Sequence, residues 1–463
     1  MRFLLAKYSY KESPYSPHSQ YEVLFLAISF ILCVILSKLS YIYQKSNQQI
    51  FTCTYPRHLI VMTHGWAGTP ANMDVLANRI TRKINYLNQS LIDSSNESCL
   101  LIHKVHSNWG YFRSIFITSD GIEKGAYRMA NEIVSVINHY PTLRKISFVG
   151  HSLGGMYNRA VLPLLADTIR DEKNKIILRN HYYYEVLKNN NYKYNHDEHL
   201  IAGLIPINYI TFGTPHKGVL SDSCTFGFNF LQEILPLHWI LLFPTIAQLL
   251  YLDHKLVIND DDKSHIFTPS VPILYEGTRK YPNNLKTKEP LLQIMTSNFD
   301  LIDPLSWFKH RHAIGSIKGD LLVPPTSASL IPLCLYKNSQ QLFLNFNQIN
   351  KSDLIHYNIS SIHLNMNKGK SVINWITIQQ SRVNNLDIYR DNRNTEIDNN
   401  LDTLNYFSLD TLNWTKTSVL FNSRFHQFFS HQLMMFCFEN WGHFLLGNNF
   451  QLVDHIINNM KDI

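Results

Sequence analysis

Lys145-Ile146-Ser147-Phe148-Val149 runs into Gly150-His151-Ser152-Leu153-Gly154, and Gly155-Met156-Tyr157-Asn158-Arg159-Ala160-Val161-Leu162 follows. The order is a short β-branched and aromatic strand, a G-x-S-x-G turn and a helix-compatible segment. A serine in that setting becomes a nucleophile. The turn is so tight that Ser152 must take strained backbone angles, which lifts its hydroxyl clear of the sheet. Gly150 and Gly154 keep side chains away from the points where strand and helix nearly touch. The Leu153 N–H, at the helix start, then faces any oxyanion formed at Ser152.

Around this turn the pattern alternates between β and α. His58-Leu59-Ile60-Val61-Met62-Thr63 reads as a buried strand that ends at His64-Gly65-Trp66-Ala67-Gly68-Thr69-Pro70. A helix fits Ala71 to Ile84, with Met73, Leu76 and Ile80 on one face. Another fits Gly121 to Tyr140, where Ile122, Met129, Ile133, Val136 and Ile137 recur at helical spacing before Pro141 closes it. Ile207-Asn208-Tyr209-Ile210-Thr211-Phe212 is the next strand and runs into Gly213-Thr214-Pro215-His216. Such alternation predicts an α/β fold with a mainly parallel sheet covered by helices on both faces. Ligands gather at the carboxyl ends of the strands of such sheets, where all these motifs fall.

A serine nucleophile needs a base, an orienting acid and oxyanion donors, and in this type of sheet the chain order is Ser, acid, His. His310-Arg311-His312-Ala313-Ile314-Gly315 reads as a later strand, and Gly319-Asp320-Leu321-Leu322-Val323-Pro324 as the loop beyond it. Asp320 follows a glycine and precedes an apolar run, so it is a candidate to receive an imidazole N–H. Thr417 to Phe421 reads as a last strand. Downstream lie His426, His431, His443 and His455. His455 falls in an apparent helix, Phe450 to Met460, which suits a structural or surface role. Order by itself does not choose between His431 and His443. Besides Leu153, the second oxyanion N–H is expected from the glycine-bearing loop 64–68, with Trp66 the natural candidate. His64 reads as a packing residue of that loop.

Composition narrows the alternatives. The chain has 463 residues, enough for a large core, and 45% are apolar. Only 17% are charged and the net charge of +7 is spread thinly, so the clustered Lys/Arg footprint of a nucleic-acid binder is missing. Cys33, Cys53, Cys99, Cys224, Cys334 and Cys437 show no C-x-x-C and no metal-ligand spacing and leave the redox compartment open, while serine-nucleophile chemistry needs no metal or cofactor. Val23 to Leu36 carries no charge, and with the residues up to Tyr43 it is long enough to cross a bilayer. Tyr21, Tyr41 and Tyr43 flank it. The expected organisation is a polar tail (1–21), a single-pass transmembrane signal anchor (22–43), a linker (44–56) and one catalytic domain (57–463), held at an endomembrane such as the endoplasmic reticulum. A cleaved signal peptide is the rival reading of the same segment. Within the domain, 226–252 is dense in apolar residues and reads as a cap or lid, or as buried core helices. Residues 168–200 and 337–411 are polar, low-complexity insertions.

The residues quoted above, together with Thr118-Ser119-Asp120-Gly121, Thr211-Phe212-Gly213-Thr214-Pro215-His216-Lys217-Gly218, Gln248-Leu249-Leu250-Tyr251-Leu252-Asp253 and Phe428-Phe429-Ser430-His431, resemble the ROG-type putative serine esterases/lipases, an α/β-hydrolase family. The resemblance spans most of 57–335 and 412–460. It implies an α/β-hydrolase fold, the acid at Asp320, the base at His431, no cofactor, and lipid-ester substrates such as monoacylglycerols or lysophospholipids. The family often reads Ala-His-Asn at its histidine, whereas Gln432 and Leu433 follow His431 here. A deacylase or thioesterase acting on lipidated proteins or GPI lipids would use the same site. From another class, an inactive membrane scaffold on the same fold would need none of it.

Overall fold

The computed structural model describes residues 49–90, 99–110, 113–166, 168–170, 175–178, 199–219, 243–253, 290–297, 299–320, 322–331, 357–363, 373–380, 409–423, 426–427, 429–435 and 450–463. Its eleven strands are β1 (Gln49–Phe51), β2 (His58–Thr63), β3 (Leu100–Lys104), β4 (Lys145–His151), β5 (Thr168–Arg170), β6 (Ile176–Leu178), β7 (Ile205–Phe212), β8 (His310–Ser316), β9 (Tyr357–His363), β10 (Ile373–Gln380) and β11 (Thr415–Phe421). Nine of them form one sheet in the order β1-β3-β2-β4-β7-β8-β11-β10-β9. The run from β3 to β11 is parallel throughout, while β1, β10 and β9 add antiparallel edges. The short β5–β6 pair is a separate antiparallel ribbon.

Residue alternation in the strands feeds two cores. In β2, Leu59 and Val61 pack into one cluster and Ile60 and Met62 into the other, all fully buried. The helices α3 (Ile122–His139) and α4 (Leu153–Ala166) cover the first face with Met129, Ile133, Met156 and Val161. The helices α1 (Asp74–Ser90) and α10 (Gln451–Asn459) cover the second with Leu76, Ile80, Val453 and Ile456. Arg79 pairs with Asp454 to join these two helices at the surface. The expected α/β architecture, parallel and covered on both faces, is thus present and fits the α/β-hydrolase fold.

The topology explains where a ligand would sit. The chain leaves β2, builds β3 on one side, then returns to place β4 on the other side of β2. In open α/β sheets, ligands bind beyond the carboxyl ends of the strands at such a switch point, which here is where the loops after β2 and β4 leave the sheet. The register aligns Thr63 with Gly150 and His151 with Phe212, so the loops beginning at His64, Ser152 and Gly213 emerge at one level.

Six of the eleven strands among the described residues, β1, β3, β5, β6, β9 and β10, were not evident in the sequence pattern. The buried β3 carries His103, which contacts Glu132, and Lys104, which pairs with Asp74; these charges break up its apolar signature. The strands β9 and β10 come from within the polar stretch 337–411, where Ile373, Trp375, Ile376 and Ile378 are buried. Among the described residues no helix is long and apolar enough to cross a membrane, and the anchor expected at 22–43 lies outside them. Most of the apolar stretch 226–252 also lies outside. Its C-terminal end forms α5 (Pro244–Leu249).

Candidate active site

The G-x-S-x-G turn has the geometry its sequence dictates. Ser152 sits at φ 53°, in the left-handed region that non-glycine residues seldom occupy, and is half-buried at the head of α4. Its N–H donates to the Phe212 carbonyl at 2.8 Å, which ties the turn to the end of the neighbouring strand. A side chain at Gly154 would collide with the Thr63 carbonyl on β2. Leu153 opens α4, so its N–H has no acceptor within the helix.

The loop after β2 lies directly against the serine. A Cβ at Gly65 would stand 2.8 Å from Ser152 Cβ, so only glycine lets the 64–68 backbone approach this closely. Within the loop the Ala67 N–H donates to Thr118 Oγ1 at 3.0 Å, and the Gly68 N–H donates to the Gly65 carbonyl at 3.0 Å. The Trp66 indole N–H donates to Ser119 Oγ at 2.6 Å. His64 is fully buried, as expected of a packing residue.

Asp320 lies in the loop beyond β8, and His431 lies in α9 (Ser430–Leu433), beyond β11. His431 Nδ1 and Asp320 Oδ2 are 2.8 Å apart, and both side chains are buried. The other carboxylate oxygen, Oδ1, accepts the N–H groups of Leu322 and Val323 at 2.9 and 3.0 Å. Those two donors fix the plane of the carboxylate, and the carboxylate in turn fixes the imidazole. The second ring nitrogen of His431, Nε2, is buried and makes no hydrogen bond among the described residues, so it has no bond to Ser152 in this structure. In an apo hydrolase this bond is often long and tightens when substrate binds. Gly213, next to the Phe212 that anchors Ser152, would place a Cβ 3.0 Å from the His431 ring, so the ring lies beside the serine turn.

His151 connects these parts, and the sequence reading had assigned it no role. Its Nε2 lies 2.9 Å from the His431 carbonyl and must donate, since a carbonyl only accepts. Its ring lies 4.9 Å from that of His431. Burial, reinforced by the neighbouring His431, pushes the His151 pKa down to about 3. The ring therefore stays neutral and does not compete with His431 for a proton.

The other histidines are elsewhere. His455 Nε2 meets Thr377 Oγ1 at 3.0 Å on β10, at the edge of the sheet, which agrees with the structural role expected of it. His426 pairs with Ser423 just after β11. His443 lies outside the described residues. Among the described residues no group of three or more His, Cys, Asp or Glu side chains could hold a metal. Cys53 and Cys99 form a disulfide where the chain enters β2 and β3, a pairing that their spacing did not reveal.

Residues 54–334 match the family described as "Putative serine esterase (DUF676)". The chain is also 24% identical over 301 residues, 65% of its length, to the "Putative lipase ROG1" of Saccharomyces cerevisiae. That match takes in 31% of the yeast protein, so the aligned part spans about a third of the curated relative. Among solved structures, RedJ with a PEG molecule in its active site matches at 13% identity and a TM-score of 0.19, over 42% of this chain and 58% of that one. YbtT, a type II thioesterase from the yersiniabactin pathway, matches at 13% identity and a TM-score of 0.20, over 41% and 57%. Likenesses this slight carry no argument about fold or function.

Proposed function

The chain belongs to the putative serine esterase family, and from that premise we propose that it is a serine hydrolase that cleaves acyl esters of lipids, of the monoacylglycerol or lysophospholipid type. Ser152 Oγ attacks the ester carbonyl while His431 Nε2 takes the hydroxyl proton. Asp320 keeps the imidazole in the Nδ1–H tautomer and stabilises the imidazolium. The N–H groups of Trp66 and Leu153 bind the tetrahedral oxyanion, at roughly 3–4 kcal/mol for each well-placed donor. Collapse expels the alcohol, which leaves with the proton from His431, and the acyl group stays on Ser152. Water, deprotonated by the same nitrogen, then releases the carboxylic acid.

One observation carries this reading. The buried 2.8 Å bond between Asp320 and His431 leaves Nε2 as the ring nitrogen without a partner, beside a serine in a left-handed turn. A buried imidazole nitrogen with no partner costs stability and is explained by a proton it is placed to receive.

The lipid nature of the substrate is supported by the yeast relative's description and by the apolar composition of 226–252 and 22–43. Anchoring at an endomembrane through 22–43 is part of the same proposal. The Cys53–Cys99 disulfide supports a catalytic domain that faces an oxidising compartment. Thiol alkylation of the chain drawn from cells without reductant tests this: modification of Cys53 and Cys99 would refute it.

The test of function is labelling of the full chain with a fluorophosphonate, comparing wild type with S152A and H431A. Loss of labelling in both variants supports the assignment and justifies a lipid-ester screen. Labelling retained in H431A moves the base to His443. Labelling retained in S152A refutes the nucleophile.

A further inference from the structure

We propose that Thr118 and Ser119 are positioning residues that hold the two oxyanion donors in register, so that both N–H groups converge on the one oxygen that gains charge. The proposal rests on the serine-hydrolase reading above. Both residues act through the loop after β2, whose Ala67 N–H and Trp66 indole they hold.

Ala67 lies at φ 52° and is not a glycine. Such a conformation persists only where its surroundings impose it. Here both polar groups of Ala67 are gripped by α2 (Ser114–Ile117) and the residue after it. Its N–H donates to Thr118 Oγ1 at 3.0 Å, and its carbonyl accepts from Ser114 Oγ at 3.2 Å. The Thr118 hydroxyl proton goes to the Ser114 carbonyl at 2.7 Å, so the one hydroxyl serves as donor and acceptor at once. Ser119 Oγ accepts from the indole N–H of Trp66, the residue whose backbone N–H is the proposed oxyanion donor. Thr118, Ser119, Ser114 and Ala67 are all buried, so water does not substitute for any of these bonds.

Thr118 also reaches the element that carries the other donor. The Thr118 carbonyl accepts the Tyr157 hydroxyl at 3.1 Å, and Tyr157 lies on α4, the helix that Leu153 opens. Thr118 thus joins the loop that carries the Trp66 N–H to the helix that carries the Leu153 N–H. Behind it, the Thr245 N–H donates to the Ser119 carbonyl at 3.2 Å, and Thr245 Oγ1 accepts the Gly121 N–H at 3.0 Å. The turn is therefore braced by α5 and is not an unsupported loop.

Oxyanion donors act in the transition state, where a small displacement lowers kcat and leaves ground-state binding intact. The full chain is compared as wild type, T118V, T118S and S119A. The readouts are kcat and KM for p-nitrophenyl butyrate and amide hydrogen exchange across residues 64–69. Valine keeps the shape of threonine and removes both hydrogen bonds. We expect T118V to lower kcat at least about tenfold with KM changed less than about twofold, and T118S to stay within about threefold of wild type. Exchange across 64–69 should rise at least about tenfold in T118V while 145–151 is unchanged. S119A, the gentler change should T118V not fold, is expected to lower kcat about threefold to tenfold at constant KM. Wild-type kcat in both T118V and S119A, a loss confined to KM, or unchanged exchange at 64–69 would overturn the proposal. A wild type that neither turns over ester nor takes up a fluorophosphonate would instead sink the esterase reading, and hydrogen exchange would still decide the clamp.

Discussion

Replacing Asp320 by asparagine tests the site at the bond that orients its histidine. Asp320 Oδ1 accepts the Leu322 and Val323 N–H groups at 2.9 and 3.0 Å, while Oδ2 faces His431 Nδ1 at 2.8 Å. In D320N one of those positions becomes an NH2. Facing two backbone donors it would be repelled, so the amide oxygen stays on the turn and the NH2 turns to His431. An NH2 only donates, which forces the imidazole to accept at Nδ1 and to carry its proton on Nε2. That proton blocks the nitrogen required to take the one on Ser152. The equivalent change in other Ser-His-Asp sites costs about 10⁴ in kcat, or ~5.4 kcal/mol of transition-state stabilisation. Because the swap is isosteric and the turn keeps both bonds, folding stability should change by no more than about 1 kcal/mol. The assay is steady-state hydrolysis of a soluble p-nitrophenyl ester from about pH 6 to 9, with thermal unfolding as the control. A folded D320N that keeps more than about a tenth of the wild-type kcat would refute Asp320 as the orienting acid.

Two further outcomes follow from strain and burial. Ser152 at φ 53° stores roughly 1–2 kcal/mol, and glycine there costs back about 0.5–1 kcal/mol in chain entropy, so S152G should be inactive yet equal to wild type or up to about 1.5 kcal/mol more stable in urea. A clearly less stable S152G would contradict the strained-turn reading. His455 is held below its ordinary pKa of 6.5, first by burial and then by the nearby His363. Its neutral form is therefore the one that folding favours. The stability it contributes is full above 6.5 and is lost as pH falls through the lowered folded value. H455A should lose about 1 kcal/mol at neutral pH and show a smaller drop in stability on acidification than wild type. Equal acid sensitivity in the two, read by urea titration, would refute a pH-dependent stability contribution from His455.

Much of the frame is legible in local pattern. Buried strands such as His58–Thr63, Ile205–Phe212 and Thr415–Phe421 announce themselves by runs of β-branched and aromatic residues, and α3 by its apolar stripe. Strand β3 escaped because the His103–Glu132 hydrogen bond and the Lys104–Asp74 ion pair let polar residues sit in a fully buried strand. Strands β9 and β10 escaped because their polar surroundings outweigh a short apolar run, and pairing with β11 supplies the missing stabilisation. The roles of His151 and Thr118 escaped for a different reason. Each is defined by a partner distant in the chain, His431 for one and Ala67 and Tyr157 for the other.

The turn that carries the proposed nucleophile is a local matter, and the sequence by itself determined it. Glycines around a serine between strand and helix leave only one sterically allowed course, and the structure follows it with a positive φ at Ser152. The proposed acid and base are not local. Asp320 and His431 stand 111 residues apart, in a chain that offers several downstream histidines. Their pairing exists because β8 and β11 are adjacent and parallel, with Ser316 opposite Val419, so the loops leaving both strands converge on the edge where Ser152 emerges. Residue types could propose that histidine, and resemblance could favour it. Only the order of strands in the folded sheet brings it to the carboxylate, because hydrogen bonding acts across ångströms of space and is blind to distance along the chain.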